Sequence, residues 1–371
     1  MTIDSLLKCA KSAYKPFDSN GTERKNLVCE TLLAHFLGKN RVFLHTHSDK
    51  KIQDILTNQS RDSATESRPI RGAKNLEQGR SSASADFLLE SDKRGSPPKS
   101  EKAASFWEHN LNEVGGSGCG VQPFLRKEKG ESTQDSSTHF TASQALESAL
   151  LKSISLLNNG YPLEYITKKV SFYSQDFFIN CSALIPRTET ELLVDKALQL
   201  IKAHDIQKIY EIGTGSGIIA IMLCLQNPHI AITATDISPT ALKIAQKNIV
   251  LKSALDSSLK SRITLVESDL LNGVDFNPKD SLIISNPPYI AEDYKIPRNL
   301  TYEPPIALFG GKNGDEILQK IIALDSDFLC CEIGYNQGHL ADFLSAYKSV
   351  EFYKDYAGFM RGFVASKNIF R

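Results

Sequence analysis

No stretch of this chain approaches the roughly 20 consecutive apolar residues that a bilayer span requires. The opening segment MTIDSLLKCAKSAYKPF lacks the continuous apolar core of a secretion signal, so the protein is expected to be cytoplasmic and away from membranes. Surplus charge is missing as well: 43 Lys and Arg are balanced by 43 Asp and Glu. A general nucleic-acid binder draws its affinity from many phosphate contacts made by excess basic side chains, so direct nucleic-acid binding is not expected. Cysteine is scattered: Cys9, Cys29, Cys119, Cys181, Cys224, Cys330 and Cys331 make an odd total with no C-x-x-C pair. That pattern points to thiols in a reducing compartment and away from a metal site. Hydrophobic residues make up only 41% of the chain, slightly under a globular average, which implies a portion that does not pack.

The composition locates that portion. Residues 1–56 read as a small helical module, with Leu27, Leu32, Leu33, Phe36 and Leu37 at helical spacing and Gly38 as a C-cap. From Thr57 to Ala145, serine rises to roughly one residue in six and large aliphatics with Phe fall to about one in seven, below what offsets ordering entropy. We expect a low-complexity, mostly disordered insert there. Residues 146–183 are expected to complete the helical domain and add a pair of strands, LESALLKSISLLNNG followed by VSFYSQDFFIN. A capping box, Thr188-x-x-Glu191, predicts a helix start at Thr188. Residues 184–371 are expected to form a second domain, whose pattern alternates from Gln207 onward: KIYEI, IIAIMLCLQ, AITATD, PTALKIAQKNIVL, RITLVES, SLIISN, GDEILQKIIALD, FLCCEI, NQGHLADFLSAY, VEFYKD and GFVASK. Strands interleaved with helices predict an α/β fold with a doubly wound, mostly parallel sheet, closed by an antiparallel edge hairpin.

Chemistry concentrates at the ends of the expected strands. Glu211, Gly213, Thr214, Gly215, Ser216 and Gly217 form an E-x-G-x-G-x-G turn between a strand and a helix. Such a turn lets backbone approach a ligand closely and exposes helix N-terminal amides. A dinucleotide fingerprint would want its third glycine at Ile218, so the spacing better suits the amino-acid end of S-adenosylmethionine. Asp236 ends the next strand, where a carboxylate can accept both ribose hydroxyls. Asp269 and Leu270 close the third strand and are placed for the adenine. The most specific signal is Asn286-Pro287-Pro288-Tyr289 after SLIIS. The Asn286 side-chain oxygen and the Pro287 carbonyl can each accept one hydrogen of a planar NH2, and prolines bring no competing N–H. Tyr289 is expected to wall that group and lend cation–π stabilisation to the sulfonium.

These residues resemble the PrmC/HemK family of protein-(glutamine-N5) methyltransferases, which modify the glutamine of the Gly-Gly-Gln loop in peptide chain release factors. Matching segments are CETLLAHFLGKNR (29–41), LIPRTETELLV (184–194), EIGTGSG, TDIS, NPPY and YEPPIALFGGKNG (302–314). The resemblance implies a Rossmann-like class I methyltransferase with S-adenosyl-L-methionine as cofactor, release factors as protein substrates, and a monomeric enzyme that tunes translation termination. It assigns cofactor contacts to the Gly213–Gly217 loop, Asp236, Leu270 and Asn286, and glutamine contacts to Asn286 through Tyr289. Thr188 departs from the usual second proline of PRPETE, and Asn313 replaces the commoner Asp of GGxDG. Arg187 and Glu303 are as readily a structural anchor as substrate contacts. Two enzyme alternatives share an NPPY-like clamp: a ribosomal-protein glutamine methyltransferase and an adenine-N6 methyltransferase acting on DNA or RNA. A cofactor-binding protein without turnover would have no use for the clamp.

Overall fold

A computed structural model describes residues 1–15, 21–56 and 141–368. Over residues 57–140 the expected insert, and with it Trp107 and Cys119, lies outside the described residues. The chain divides into two units, one ending at Thr167 and the other running from Lys168 to the C-terminus.

The first unit is helical: α1 (Ile3–Ala13), α2 (Gly21–Phe36), α3 (Arg41–Thr46), α4 (Ala142–Asn158) and α5 (Leu163–Thr167). Helix α1 starts at a capping box in which the Thr2 hydroxyl accepts from the Ser5 amide, and it buries Ile3, Leu6, Leu7 and Ala10 on one face. Spacing of three and four places those side chains on one stripe. Helix α4 begins at Ala142, four residues before the expected start, because Thr141 and Gln144 form a second capping box. Their reciprocal bonds satisfy two otherwise orphaned N–H groups. Asn158 ties α4 to α1 by donating to the Ala13 carbonyl (3.0 Å) and accepting from the Lys15 amide (2.8 Å). The buried Glu30 carboxylate gathers Arg41 (2.9 Å), His45 (3.3 Å) and Lys11 (3.5 Å), and these pairings, chiefly with Arg41, hold its pKa low despite burial.

The second unit opens with the expected hairpin, β1 (Lys169–Phe172) against β2 (Gln175–Phe178). Its two turn residues, Tyr173 and Ser174, both have positive φ (49° and 56°), the backbone of a tight turn whose twist matches the strands. Helix α6 (Thr190–His204) starts two residues later than Thr188, with no side-chain cap. The capping box does not form because Glu191 is recruited elsewhere: its carboxylate accepts from the Tyr173 amide (2.7 Å), pinning the hairpin turn.

Beyond it lie β3 (Lys208–Ile212), α7 (Ile218–Gln226), β4 (Ala231–Asp236), α8 (Pro239–Lys252), α9 (Leu259–Arg262), β5 (Ile263–Glu267), β6 (Ser281–Ser285), β7 (Ile290–Ala291), β8 (Phe309–Gly311), α10 (Glu316–Ile322), β9 (Phe328–Glu332), β10 (Ser349–Lys354) and β11 (Met360–Ser366). Seven strands form one sheet in the order β10-β11-β9-β6-β3-β4-β5, parallel from β9 to β5, with β11 antiparallel to both its neighbours. Strands β6 and β9 are buried at every position, as central parallel strands covered on both faces should be. The segment NQGHLADFLSAY is not an α-helix; Gly338–Leu344 is 3-10. Gln337, at the N-cap position, makes no side-chain cap, its side chain being spent on the Gly334 amide and the Gly314 carbonyl.

Chain order reverses at β3, the point where open α/β sheets bind ligands beyond the strands' C-terminal ends. Register sharpens this. Ile212 on β3 lies opposite Thr235 of β4 and Ser285 of β6, and Ser285 lies opposite Cys331 of β9. The next residue of each strand therefore falls in one row: Glu332, Asn286, Gly213 and Asp236.

Candidate active site

Above that row lies a cavity of about 380 Å³, within the usual range for small-molecule sites. Gly213 and Gly215 line it with φ of 72° and 56°, and a Cβ on either would meet nothing within 4 Å. Their backbone therefore faces open space. Thr214 and Ser216, both buried, line the same wall. Asp236 also lines it; one carboxylate oxygen accepts from the Gly215 amide (2.8 Å) and the other from the Ser238 amide (2.9 Å). Each oxygen keeps a lone pair for a further donor. Burial pushes the Asp236 pKa upward and the two amides oppose it. Ser238, not Asp236, caps α8, its hydroxyl accepting from the Ala241 amide.

Two predicted loop residues lie beneath the cavity and do not line it. Glu211 is fully buried, its carboxylate accepting from the Ala220 amide in the first turn of α7 (3.1 Å). Burial pushes its pKa up to about 8. Gly217 serves packing: a Cβ there would sit 2.9 Å from the Cβ of Ala245 on α8. At the far rim, Asp269 is exposed two residues past the end of β5. Leu270 beside it lines the cavity in a left-handed backbone conformation, φ 54°, which a leucine adopts only when its surroundings demand it.

Asn286, Pro287 and Pro288 line the opposite wall. Asn286 Nδ2 donates to Thr190 Oγ1 (3.1 Å), while Asn286 Oδ1 is buried without a partner. An unpaired buried acceptor costs roughly 1–3 kcal/mol, so a donor belongs there. Tyr289 departs from expectation. It does not line the cavity; its ring packs into the core and its hydroxyl donates to Glu332 Oε1 (3.3 Å). Burial and the Glu332 charge both push the phenol upward. The tyrosine therefore anchors the tetrapeptide from behind.

Strand β8 and the loop after it lock the same tetrapeptide. A Cβ on Gly310 would lie 2.4 Å from the Pro288 carbonyl oxygen, and one on Gly314 2.7 Å from that of Tyr289. Gln337 Nε2 bridges the two segments, donating to the Tyr289 (3.2 Å) and Gly314 (2.9 Å) carbonyls. Glu303 is buried and accepts from the Ile185 amide (2.9 Å) and from the Arg187 guanidinium, joining LIPR to YEPP. That is the anchoring alternative for both residues. Thr190, Glu332 and Gln337 were not singled out from sequence; a carboxylate ending the otherwise apolar FLCCE strand was the available signal.

A doubly wound sheet with an antiparallel β11, a glycine loop after β3, an acid ending β4 and a clamp after β6 define a class I methyltransferase. A family model described as "Methyltransferase small domain" matches residues 188–303. The chain is 36% identical over 218 residues to a release factor glutamine methyltransferase of Moorella thermoacetica, covering 56% of this chain and 75% of that one. It is likewise 36% identical over 231 residues to that of Mycoplasma mycoides, covering 57% and 78%. With the Koribacter versatilis protein of the same description it shares 38% over 166 residues, 44% of this chain and 57% of the relative's length. The chain belongs to the release factor glutamine methyltransferase family. Its cofactor is S-adenosylmethionine. The open glycine backbone and the Asp236 lone pairs fit a nucleoside carrying an amino-acid arm. No group of three or more His, Cys, Asp or Glu side chains among the described residues could hold a metal ion, and no helix among them is long and apolar enough to cross a membrane.

Proposed function

We propose that this chain methylates the side-chain amide nitrogen of a glutamine in peptide chain release factors, at the Gly-Gly-Gln loop. The observation that carries the reading is the buried, unpartnered Asn286 Oδ1 beside two prolines on the cavity wall. An amide NH2 supplies the donor this acceptor lacks.

S-adenosylmethionine supplies an electrophilic methyl group on a sulfonium. The protein's task is to make a poor nucleophile adequate, because an amide nitrogen's lone pair is delocalised into its carbonyl. Asn286 Oδ1 accepts one N–H hydrogen and the Pro287 carbonyl the other. Together they raise electron density on nitrogen and aim it, so catalysis is orientation plus fixed electrostatics. Gly213, Thr214, Gly215 and Ser216 cradle the amino-acid arm, and Asp236 receives the ribose hydroxyls. Asp269 and Leu270 border the adenine. Glu211 and Gly217 act from below, holding the loop's shape. Family membership supports release factors as the substrate.

The test is incubation with isotopically labelled S-adenosylmethionine and, separately, purified release factors, ribosomal proteins and DNA, with mass-spectrometric mapping of the label. One methyl on the release factor's Gly-Gly-Gln glutamine is expected. Label confined to a ribosomal protein or to adenine would overturn the reading.

A further inference from the structure

We propose that Thr190 and Glu332 are positioning residues that hold the Asn286 carboxamide with its NH2 turned to the protein, so that its oxygen is the end left free to accept. The inference rests on the reading above that Asn286 receives an amide hydrogen, and it adds how that polarity is set. A carboxamide is nearly symmetric in shape, so shape alone does not choose which end faces the ligand. Hydrogen-bond direction does.

Three residues from three elements form a chain of donors running away from the cavity. Thr190 Oγ1 donates to Glu332 Oε2 at 2.8 Å, and Asn286 Nδ2 donates to Thr190 Oγ1 at 3.1 Å. A hydroxyl owns one hydrogen. Burial pushes the Glu332 pKa up to about 7, and the Thr190 and Tyr289 hydroxyls oppose that; when the ionised carboxylate takes the Thr190 hydrogen, Thr190 presents only lone pairs to Asn286, and only the NH2 end of the carboxamide can pair with them. The opposite orientation would set the Asn286 oxygen against the Thr190 lone pairs and its NH2 against the NH2 of the substrate. Glu332 is 1% exposed and Thr190 2% exposed, so water does not compete for these bonds. Glu332 Oε1 is held from its other side by the Tyr289 hydroxyl (3.3 Å). The Tyr289 of the tetrapeptide thus braces the same carboxylate that orients its Asn286. Sheet register brings the parts together, since Glu332 and Asn286 each follow a residue of one paired rung, Cys331 and Ser285.

The experiment compares Thr190→Val, which removes the hydroxyl at nearly constant shape, with Thr190→Ser, which keeps it. For each variant kcat and KM for a release factor, the dissociation constant for S-adenosylhomocysteine by calorimetry, and Tm are measured. Thr190→Val should lose about 10- to 100-fold in kcat, below the roughly 100- to 1,000-fold of a lost donor that touches the reacting atoms, because Thr190 acts through Asn286. KM and cofactor affinity should stay within about threefold, and Thr190→Ser should retain kcat within about threefold of the parent. A folded Thr190→Val with parental kcat, or a Thr190→Ser as poor as the valine variant, would overturn the proposal. Should the valine variant fail to fold, Thr190→Ala serves in its place, because it removes the same hydroxyl with less bulk; undiminished kcat in that folded variant overturns the proposal equally. An unsubstituted protein that methylates no release factor would instead overturn the functional reading, so the two failures are distinguishable.

Discussion

Replacing Asp236 should weaken cofactor binding by an amount that can be set in advance. Each oxygen of Asp236, which lines the cavity, already accepts one backbone amide, from Gly215 at 2.8 Å and Ser238 at 2.9 Å, and each keeps a lone pair for a further donor. A ribose diol would donate two hydrogens there. A hydrogen bond to a charged group contributes about 1.5–3 kcal/mol, and neighbouring bonds do not add in full. At about 1.4 kcal/mol per decade, Asp236→Ala should raise the dissociation constant roughly 10- to 100-fold. Asp236→Asn keeps the shape and one acceptor but presents an NH2 to one of the two amides, so its loss should fall at the lower end. Calorimetry with S-adenosylhomocysteine is the suitable assay, because that ligand keeps the ribose and lacks the sulfonium charge. Unligated Tm for both variants separates a ligand effect from collapse of the glycine loop. A folded Asp236→Ala with affinity within about twofold of the parent would show that the carboxylate serves the loop alone.

Other outcomes follow from the same geometry. Asn286→Ala should abolish methyl transfer while leaving most cofactor affinity, and near-normal turnover would sink the clamp. Gly314→Ala, whose Cβ would lie 2.7 Å from the Tyr289 carbonyl at φ 85°, should displace the tetrapeptide and cut kcat by about tenfold or more; an equal loss of cofactor affinity would show a wider disturbance than proposed. Glu211 has its folded pKa raised by burial from 4.5 to about 8. Between those values the folded protein keeps a proton that the unfolded chain has lost, so stability is full below the lower value and falls as pH rises through the upper. Glu211→Gln should therefore flatten the decline, by on the order of a few kcal/mol at alkaline pH, in urea titrations at pH 5, 7 and 9. An unchanged slope would refute the assignment.

Features governed by local pattern were readable from sequence, and features governed by distant partners were not. The buried strands SLIIS and FLCCE announced themselves as largely apolar runs, and the glycine loop, Asp236 and Asn286 were found because each lies at the C-terminal end of a strand or directly after it. The Thr188 capping box failed because Glu191 is claimed by the Tyr173 amide, a partner 18 positions away. Tyr289 was assigned to the wrong side of its loop for the same reason: after two rigid prolines its direction is decided by Glu332, 43 residues on. Thr190 and Glu332 escaped notice because their bond spans 142 residues, and neither belongs to a glycine or proline motif. The paired backbones of NPPY and GGKNG explain a motif that sequence could match but not interpret.

The row formed by Glu332, Asn286, Gly213 and Asp236 makes the sheet itself a ruler. Neighbouring strands stand about 4.8 Å apart, so Asp236 and Asn286, separated by two strand steps, are spaced by roughly 10 Å through the hydrogen-bond ladder. Side-chain exchanges in the core leave that spacing untouched, since no core side chain defines it. A slip of β6 by one residue would do the opposite. It would turn Asn286 to the other face of the sheet while preserving nearly every strand pairing, leaving a folded protein with its measuring scale shifted by one division.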